Sequence, residues 1–256
     1  MRRPLVAGNW KLHGTRAGAA SLVEAIASGI VQLDAIDVVV CPTFLHLADA
    51  AARIAGRTLG LGAQDVSAEA EGAFTGEVAA PMLAEYGCGY VIVGHSERRA
   101  RLGESDADVA AKVAAAAGAG LVPIVCVGET LAERDAGETL DVVRRQLQAV
   151  LTQIGAEGFA GSVVAYEPIW AIGTGRTATP AQAQEVHAAI RAVLADAASE
   201  LAAETRVLYG GSVKAANAAE LFAGPDIDGG LVGGASLDAT EFLNICRSAA
   251  ASAASV

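Results

Sequence analysis

Aromatic residues make up only 4% of the 256 positions, so a core has to be built from aliphatic side chains, and hydrophobic residues reach 53%. Basic residues are scarce as well. The 18 Lys and Arg against 29 Asp and Glu leave a formal net charge of −11, which argues against nucleic acid as a partner. Lysine occurs only as Lys11, Lys112 and Lys214, so a lysine at the edge of a site carries more information than usual. The four cysteines, Cys41, Cys88, Cys126 and Cys246, show no C-x-x-C spacing and no histidine at zinc-finger distance. Neither a disulfide framework nor a metal is indicated, and buried reduced thiols are expected. Long apolar runs are missing too: the longest, Leu121 to Val127, falls far short of the ~20 residues that cross a bilayer. The chain meets Asn9, Lys11 and His13 soon after Met1-Arg2-Arg3, so no secretory signal and no membrane association are expected, and the expected compartment is the cytoplasm.

What the chain does have is rhythm. Short apolar runs recur at Leu5-Ala7, Val38-Val40, Leu59-Ala63, Tyr90-Val93, Val122-Val127, Val163-Ala165, Val207-Tyr209 and Gly230-Val232, each followed by a polar or glycine-containing segment. Alanine-rich stretches of helical period lie between them. In one of these, Val186, Ala189, Ile190, Val193, Leu194, Ala197 and Leu201 share a face. Thr179-Pro180-Ala181-Gln182 opens that helix with a capping box and a proline at the first helical position. Strands alternating with helices imply parallel pairing through right-handed crossovers. Eight strands, no linker and no G-x-G-x-x-G after the first favour a closed (β/α)8 barrel over an open doubly wound sheet, as one domain spanning residues 1–256. The tail from Ala249 is expected to fray.

Barrels of this kind carry their chemistry at the C-terminal ends of the strands. The residues found there are Asn9 and Lys11 after the first strand, His95 and Glu97 after the fourth, and Glu167 after the sixth. Gly210-Gly211-Ser212 follows the seventh and Gly233-Gly234 the eighth. A carboxylate, an imidazole and a cation at one rim, beside two glycine turns whose amides can hold an anion, suit proton transfer on an anionic substrate. Glu97, Arg98, Arg99 and Glu104 suggest a local ion-pair network. Pro168-Ile169-Trp170-Ala171-Ile172-Gly173-Thr174-Gly175 exposes Ile, Trp and Ile directly after an acidic residue, the pattern of a lid that drives water from Glu167 when shut.

The ordered blocks Gly8-Asn9-Trp10-Lys11, Val93-Gly94-His95-Ser96-Glu97-Arg98-Arg99, Ala165-Tyr166-Glu167-Pro168-Ile169-Trp170-Ala171-Ile172-Gly173-Thr174-Gly175, Tyr209-Gly210-Gly211-Ser212-Val213 and Leu231-Val232-Gly233-Gly234 resemble the triosephosphate isomerase family along the whole chain. The resemblance implies interconversion of dihydroxyacetone phosphate and D-glyceraldehyde 3-phosphate, in glycolysis and gluconeogenesis, through an enediolate and without cofactor or metal. It makes Glu167 the base, neutral His95 the donor to substrate oxygens, Lys11 a fixed positive charge and Asn9 an orienting group, with Glu97 beside them. The phosphate is expected on the amides of Gly173, Ser212, Gly233 and Gly234. The resemblance also implies a homodimer through the loop Gln64 to Glu77, with Phe74 and Thr75 reaching a neighbour. Small departures from the family pattern fall at Arg176, Gly137-Glu138, Ala100-Arg101-Leu102 and Ala215-Ala216.

Three rivals are weighed against this reading. A Schiff-base aldolase needs a lysine at the rim, for which Lys11 is the candidate. A metal hydrolase would use His95, Glu97 and Glu167 as ligands. A catalytically dead barrel would leave the rim set unexplained.

Overall fold

The computed structural model describes residues 2–172 and 177–254. Eight strands, β1 (Leu5–Asn9), β2 (Asp37–Cys41), β3 (Gly60–Ala63), β4 (Tyr90–Val93), β5 (Val122–Val127), β6 (Val163–Tyr166), β7 (Arg206–Tyr209) and β8 (Gly229–Val232), pair in parallel in sequence order. The circle closes where β1 joins β8, with Leu5 opposite Gly229 and Gly8 opposite Val232. All eight apolar runs hold a strand, most extended by a residue or two, while the third starts one residue later, at Gly60, and leaves Leu59 outside it. The helices are α1 (Arg16–Gly29), α2 (Leu47–Ile54), α3 (Ala80–Glu85), α4 (Ser96–Leu102), α5 (Asp106–Gly118), α6 (Leu131–Asp135), α7 (Thr139–Phe159), α8 (Pro180–Ala197), α9 (Ser199–Glu204), α10 (Ala215–Phe222) and α11 (Ala239–Ala254).

Strand periodicity of two sorts the side chains. Leu5, Ala7, Val39, Ile92, Ile124, Cys126, Val163, Ala165, Leu208 and Leu231 fill the barrel, while Val6, Val91, Val93, Val125, Val164, Tyr166, Val207 and Tyr209 pack outward under the helices. The same parity carries Asn9 and Glu167 inward, each two residues past an interior alanine. At the end of β4 it is broken: Gly94 turns with φ +71°, and His95 becomes the N-terminal cap of α4.

Two expectations need correction. The helix from Pro180 ends at Ala197, because Ala198 is extended (φ −165°, ψ 139°), and Leu201 is buried from the separate α9. The tail does not fray at Ala249: that residue is 1% exposed in α11, and the Ser252 hydroxyl donates to the Phe222 carbonyl at 2.6 Å. The capping box is present, with the Thr179 hydroxyl accepting from Gln182 N at 3.2 Å and the Gln182 amide oxygen accepting from Thr179 N at 3.0 Å. All four cysteines are free and buried. Burial pushes the Cys88 thiol up to about 11 and that of Cys246 to about 12. Among the described residues, no helix is long and apolar enough to cross a membrane.

Candidate active site

A cavity of about 640 Å³ opens at the C-terminal ends of the strands, lined by Asn9, Lys11, His95, Glu97, Glu167, Ser212, Gly233 and Gly234 among others. The catalytic and phosphate-binding candidates that are described therefore meet at one mouth. Gly173, Thr174, Gly175 and Arg176 lie outside the described residues, and nothing of the expected lid beyond Ile172 is described. Lys214, Arg101 and Glu241 also line the mouth, so Lys11 is not the one rim lysine that the aldolase rival supposed.

Glu167 is 2% exposed and His95 6% exposed. The carboxylate Oε1 lies 2.9 Å from His95 Nε2, and Oε2 accepts from the Ser96 amide at 2.8 Å. Burial alone would push this carboxyl up. His95, the Ser96 amide and Lys11 more than offset that, and hold it below the usual carboxylate range. For His95 the balance is the mirror image: burial lowers its affinity for a second proton, and Glu167 raises it by more. The Glu97 amide donates to His95 Nδ1 at 3.2 Å. A lone pair must therefore face that amide, which fixes the neutral ring with its proton on Nε2.

Lys11 has φ +50°, the only positive φ outside glycine among the described residues. An L side chain held there costs about 1–2 kcal/mol, so its neighbours must impose it. Lys11 N donates to Asn9 Oδ1 at 3.0 Å, and the Gln64 amide donates to the carbonyls of Lys11 and Cys41, both at 2.9 Å. So fixed, the ammonium reaches Glu97 Oε1 at 2.7 Å. That pairing corrects the expected local network. Glu97 turns to Lys11, while Arg98 pairs with Glu104 as expected (2.6 Å) and also with Asp65 (2.8 Å) and, through them, buried Lys112. Arg99 pairs with Asp106 at 2.6 Å.

The two carboxylates lie on opposite nitrogens of the imidazole, Glu97 Oε2 at 3.7 Å from Nδ1 and Glu167 Oε1 at 2.9 Å from Nε2. Such a disposition offers no shared point for a metal, and no group of three or more His, Cys, Asp or Glu among the described residues could hold one. On the opposite side of the mouth, the Ser212 hydroxyl donates to the Ala171 carbonyl at 2.9 Å. The Gly233 carbonyl accepts from Ser236 N at 2.8 Å and from its hydroxyl at 2.7 Å, and Gly234 opens a short 3-10 turn.

Two supporting residues were not singled out from the sequence. Gln64 carries no motif, because its bonds reach across 53 and 23 residues of chain. Glu129 sits two residues after β5, at the kind of strand-end position inspected elsewhere but passed over there. It is wholly buried, and Trp170 Nε1 donates to it at 2.8 Å.

Comparison with known proteins agrees with this geometry. A sequence model of the family described as Triosephosphate isomerase matches residues 4–249. Proteins named Triosephosphate isomerase from Pseudomonas paraeruginosa and Thiobacillus denitrificans are each 60% identical, over 253 residues (97% of this chain, 99% of the relative) and 250 residues (98% and 100%). One from Alcanivorax borkumensis is 57% identical over 248 residues (97% and 99%). A match of this extent, on a closed eight-stranded barrel with these residues at its mouth, places the chain in the triosephosphate isomerase family.

Proposed function

We propose that the chain interconverts dihydroxyacetone phosphate and D-glyceraldehyde 3-phosphate, in the cytoplasm and as a homodimer, with Glu167 as the base. The observation that carries this reading is the buried Glu167 carboxylate 2.9 Å from His95 Nε2. Substrate oxygens compete for that Nε2 proton. A carboxylate displaced from His95 and Ser96 loses the contacts that hold it acidic while burial persists, so its basicity rises as it reaches the carbon. It takes the proton from one carbon of the substrate and returns it to the adjacent carbon. His95 donates to the oxygens of the enediolate, and Lys11 lies beside the negative charge that develops. Asn9 orients Lys11 and substrate, and Glu97 holds the ammonium.

On a chain of net charge −11, an anionic substrate is held by local groups. Lys11 and the backbone amides of Ser212, Gly233 and Gly234, with Gly173, serve the phosphate in this reading. The homodimer reading draws on exposed apolar residues that follow four adjacent strands: Leu12 at 94% exposure, Leu45 at 88%, Phe74 at 47% and Leu102 at 66%.

The test is isomerisation of D-glyceraldehyde 3-phosphate by the purified chain with a chelator present. Glu167→Gln is expected to lower kcat roughly 10²–10⁴-fold. Glu167→Asp, which withdraws the carboxylate by one methylene, should lower it about 10²-fold with folding intact. Near-normal turnover in either variant overturns the assignment of the base.

A further inference from the structure

Glu129 is 0% exposed. Its Oε1 accepts from Trp170 Nε1 at 2.8 Å and from the Tyr166 hydroxyl at 3.1 Å, whereas Oε2 has no hydrogen-bond partner among the described residues. The cation paired with this carboxylate is Arg134, with Nη1 at 3.2 Å. The same guanidinium lies over the Trp170 ring, 4.7 Å from its centroid. One side chain thus neutralises the acceptor of the indole N–H and also covers the indole face. Its mount is firm, since α6 opens with a capping box between Thr130 and Glu133. The main chain ties the same parts together: Ile169 N donates to the Glu129 carbonyl at 3.1 Å and Glu167 N to the Val127 carbonyl at 2.7 Å.

We propose that Arg134 is a positioning residue for the reaction: it clamps Trp170 and, through Pro168–Trp170, fixes the backbone that presents Glu167. It does not touch the substrate, and the inference rests on Glu167 being the base. The physical argument has two parts. A buried carboxylate that loses its cation is left an unpaired charge, so the acceptor of the indole N–H is no longer held in place. A ring that loses its guanidinium loses a contact that only a planar cation makes well.

The test uses R134Q, R134K and the paired variant E129Q/R134Q in the full chain, with W170F to separate Trp170 emission from that of Trp10. In ligand-free protein, Trp170 emission is expected to move to longer wavelength in all three. In R134Q, kcat should fall about tenfold while KM changes less than about threefold. R134K keeps the charge without the planar fork, so it should recover part of kcat and little of the emission. If R134Q fails to fold, the paired variant, which leaves no lone buried charge, carries the same two expectations. Both readouts must move. Unchanged emission, or kcat within twofold of the parent while the melting temperature falls, overturns the proposal. A parent chain with no isomerase activity would instead remove the functional reading, and the emission would still report on the clamp, so the two failures are distinguishable.

Discussion

A Cβ added at Gly210 would lie 2.9 Å from Glu167 Cγ and 3.1 Å from the Tyr166 carbonyl oxygen. Its backbone is not in the left-handed region, so what the position demands is space for the base. The Gly210 amide also donates to that Tyr166 carbonyl at 2.7 Å, so β6 and β7 cannot part to make room. Gly210→Ala is therefore expected to push the Glu167 carboxylate off His95 and lower kcat about 10²-fold, since a misplacement near 1 Å costs on that order. Overpacking should also destabilise the fold by roughly 1–3 kcal/mol. Gly118→Ala is the matching control, because a Cβ there meets nothing within 4 Å. Steady-state kinetics of the two variants check the argument, and equal kcat values would show that the contact at Gly210 does not position the base. Gly128 makes the point more severely: its added Cβ would fall 1.8 Å from the Glu167 carbonyl oxygen, so the base is walled by glycine on the β5 side as well.

At the scale of the element, the start of α8 matters because it follows the segment that begins at Glu167. Thr179→Ala removes one half of a reciprocal cap and should cost about 1 kcal/mol. In a chain of this size that amounts to roughly 2–4 °C in Tm. Thermal unfolding followed by circular dichroism checks it, and an unchanged Tm would mean that the cap bonds are replaced by solvent. This helix also illustrates what could be read from sequence. Its start was legible, because Thr, Pro and Gln occupy positions where their chemistry has few alternatives. Its end was not: alanine suits a helix face, a helix end and an extended residue equally, and Ala198 brings neither glycine nor proline to mark the stop. The strands were legible throughout, because burial on both faces leaves them as short apolar runs. Asn9, His95 and Glu167 were legible for the same reason, each being the first charged, amide or imidazole group after a run. Residues whose role comes from contacts across long stretches of chain, such as Gln64 and Arg134, left no local pattern. The partner of Glu97 was not legible either: its neighbours in sequence offered cations, while Lys11, 86 residues away, is the one it meets.

At the scale of the whole molecule, the fold holds a buried group whose protonation opposes folding. His187 is 0% exposed, and its Nδ1 is 3.2 Å from the Asp226 carbonyl. Its ring packs against Tyr166 and Tyr209 at centroid distances of 5.9 and 6.4 Å. Burial lowers its pKa from 6.5 to about 4. The unfolded chain therefore binds this proton first as pH falls, so stability from His187 is complete above 6.5 and is lost progressively down to about 4, for a total of roughly 3 kcal/mol. His187→Gln should flatten the dependence of Tm on pH in that window, and an unaltered slope would assign the acid sensitivity to other groups. The dimer is tested at the same scale. The loop from Gln64 is anchored at its root, through Gln64 to the Lys11 carbonyl and through Asp65 to Arg98 and Lys112, while Phe74 and Thr75 stand exposed at its tip. A root tied to the site and an apolar tip free of the parent barrel are what a reciprocal contact between two copies requires. Burying an aspartate in place of a central aromatic anchor costs about 2 kcal/mol or more at each of two symmetric contacts. Phe74→Asp is therefore expected to sediment at the 25.7 kDa of one chain under conditions where the parent sediments at twice that. In the dimer proposed above, the neighbour's Thr75 reaches the loop that holds Lys11, so kcat of the variant should fall as well. A parent that sediments as a monomer with full activity would remove the dimer from the functional reading and leave the site complete within one barrel.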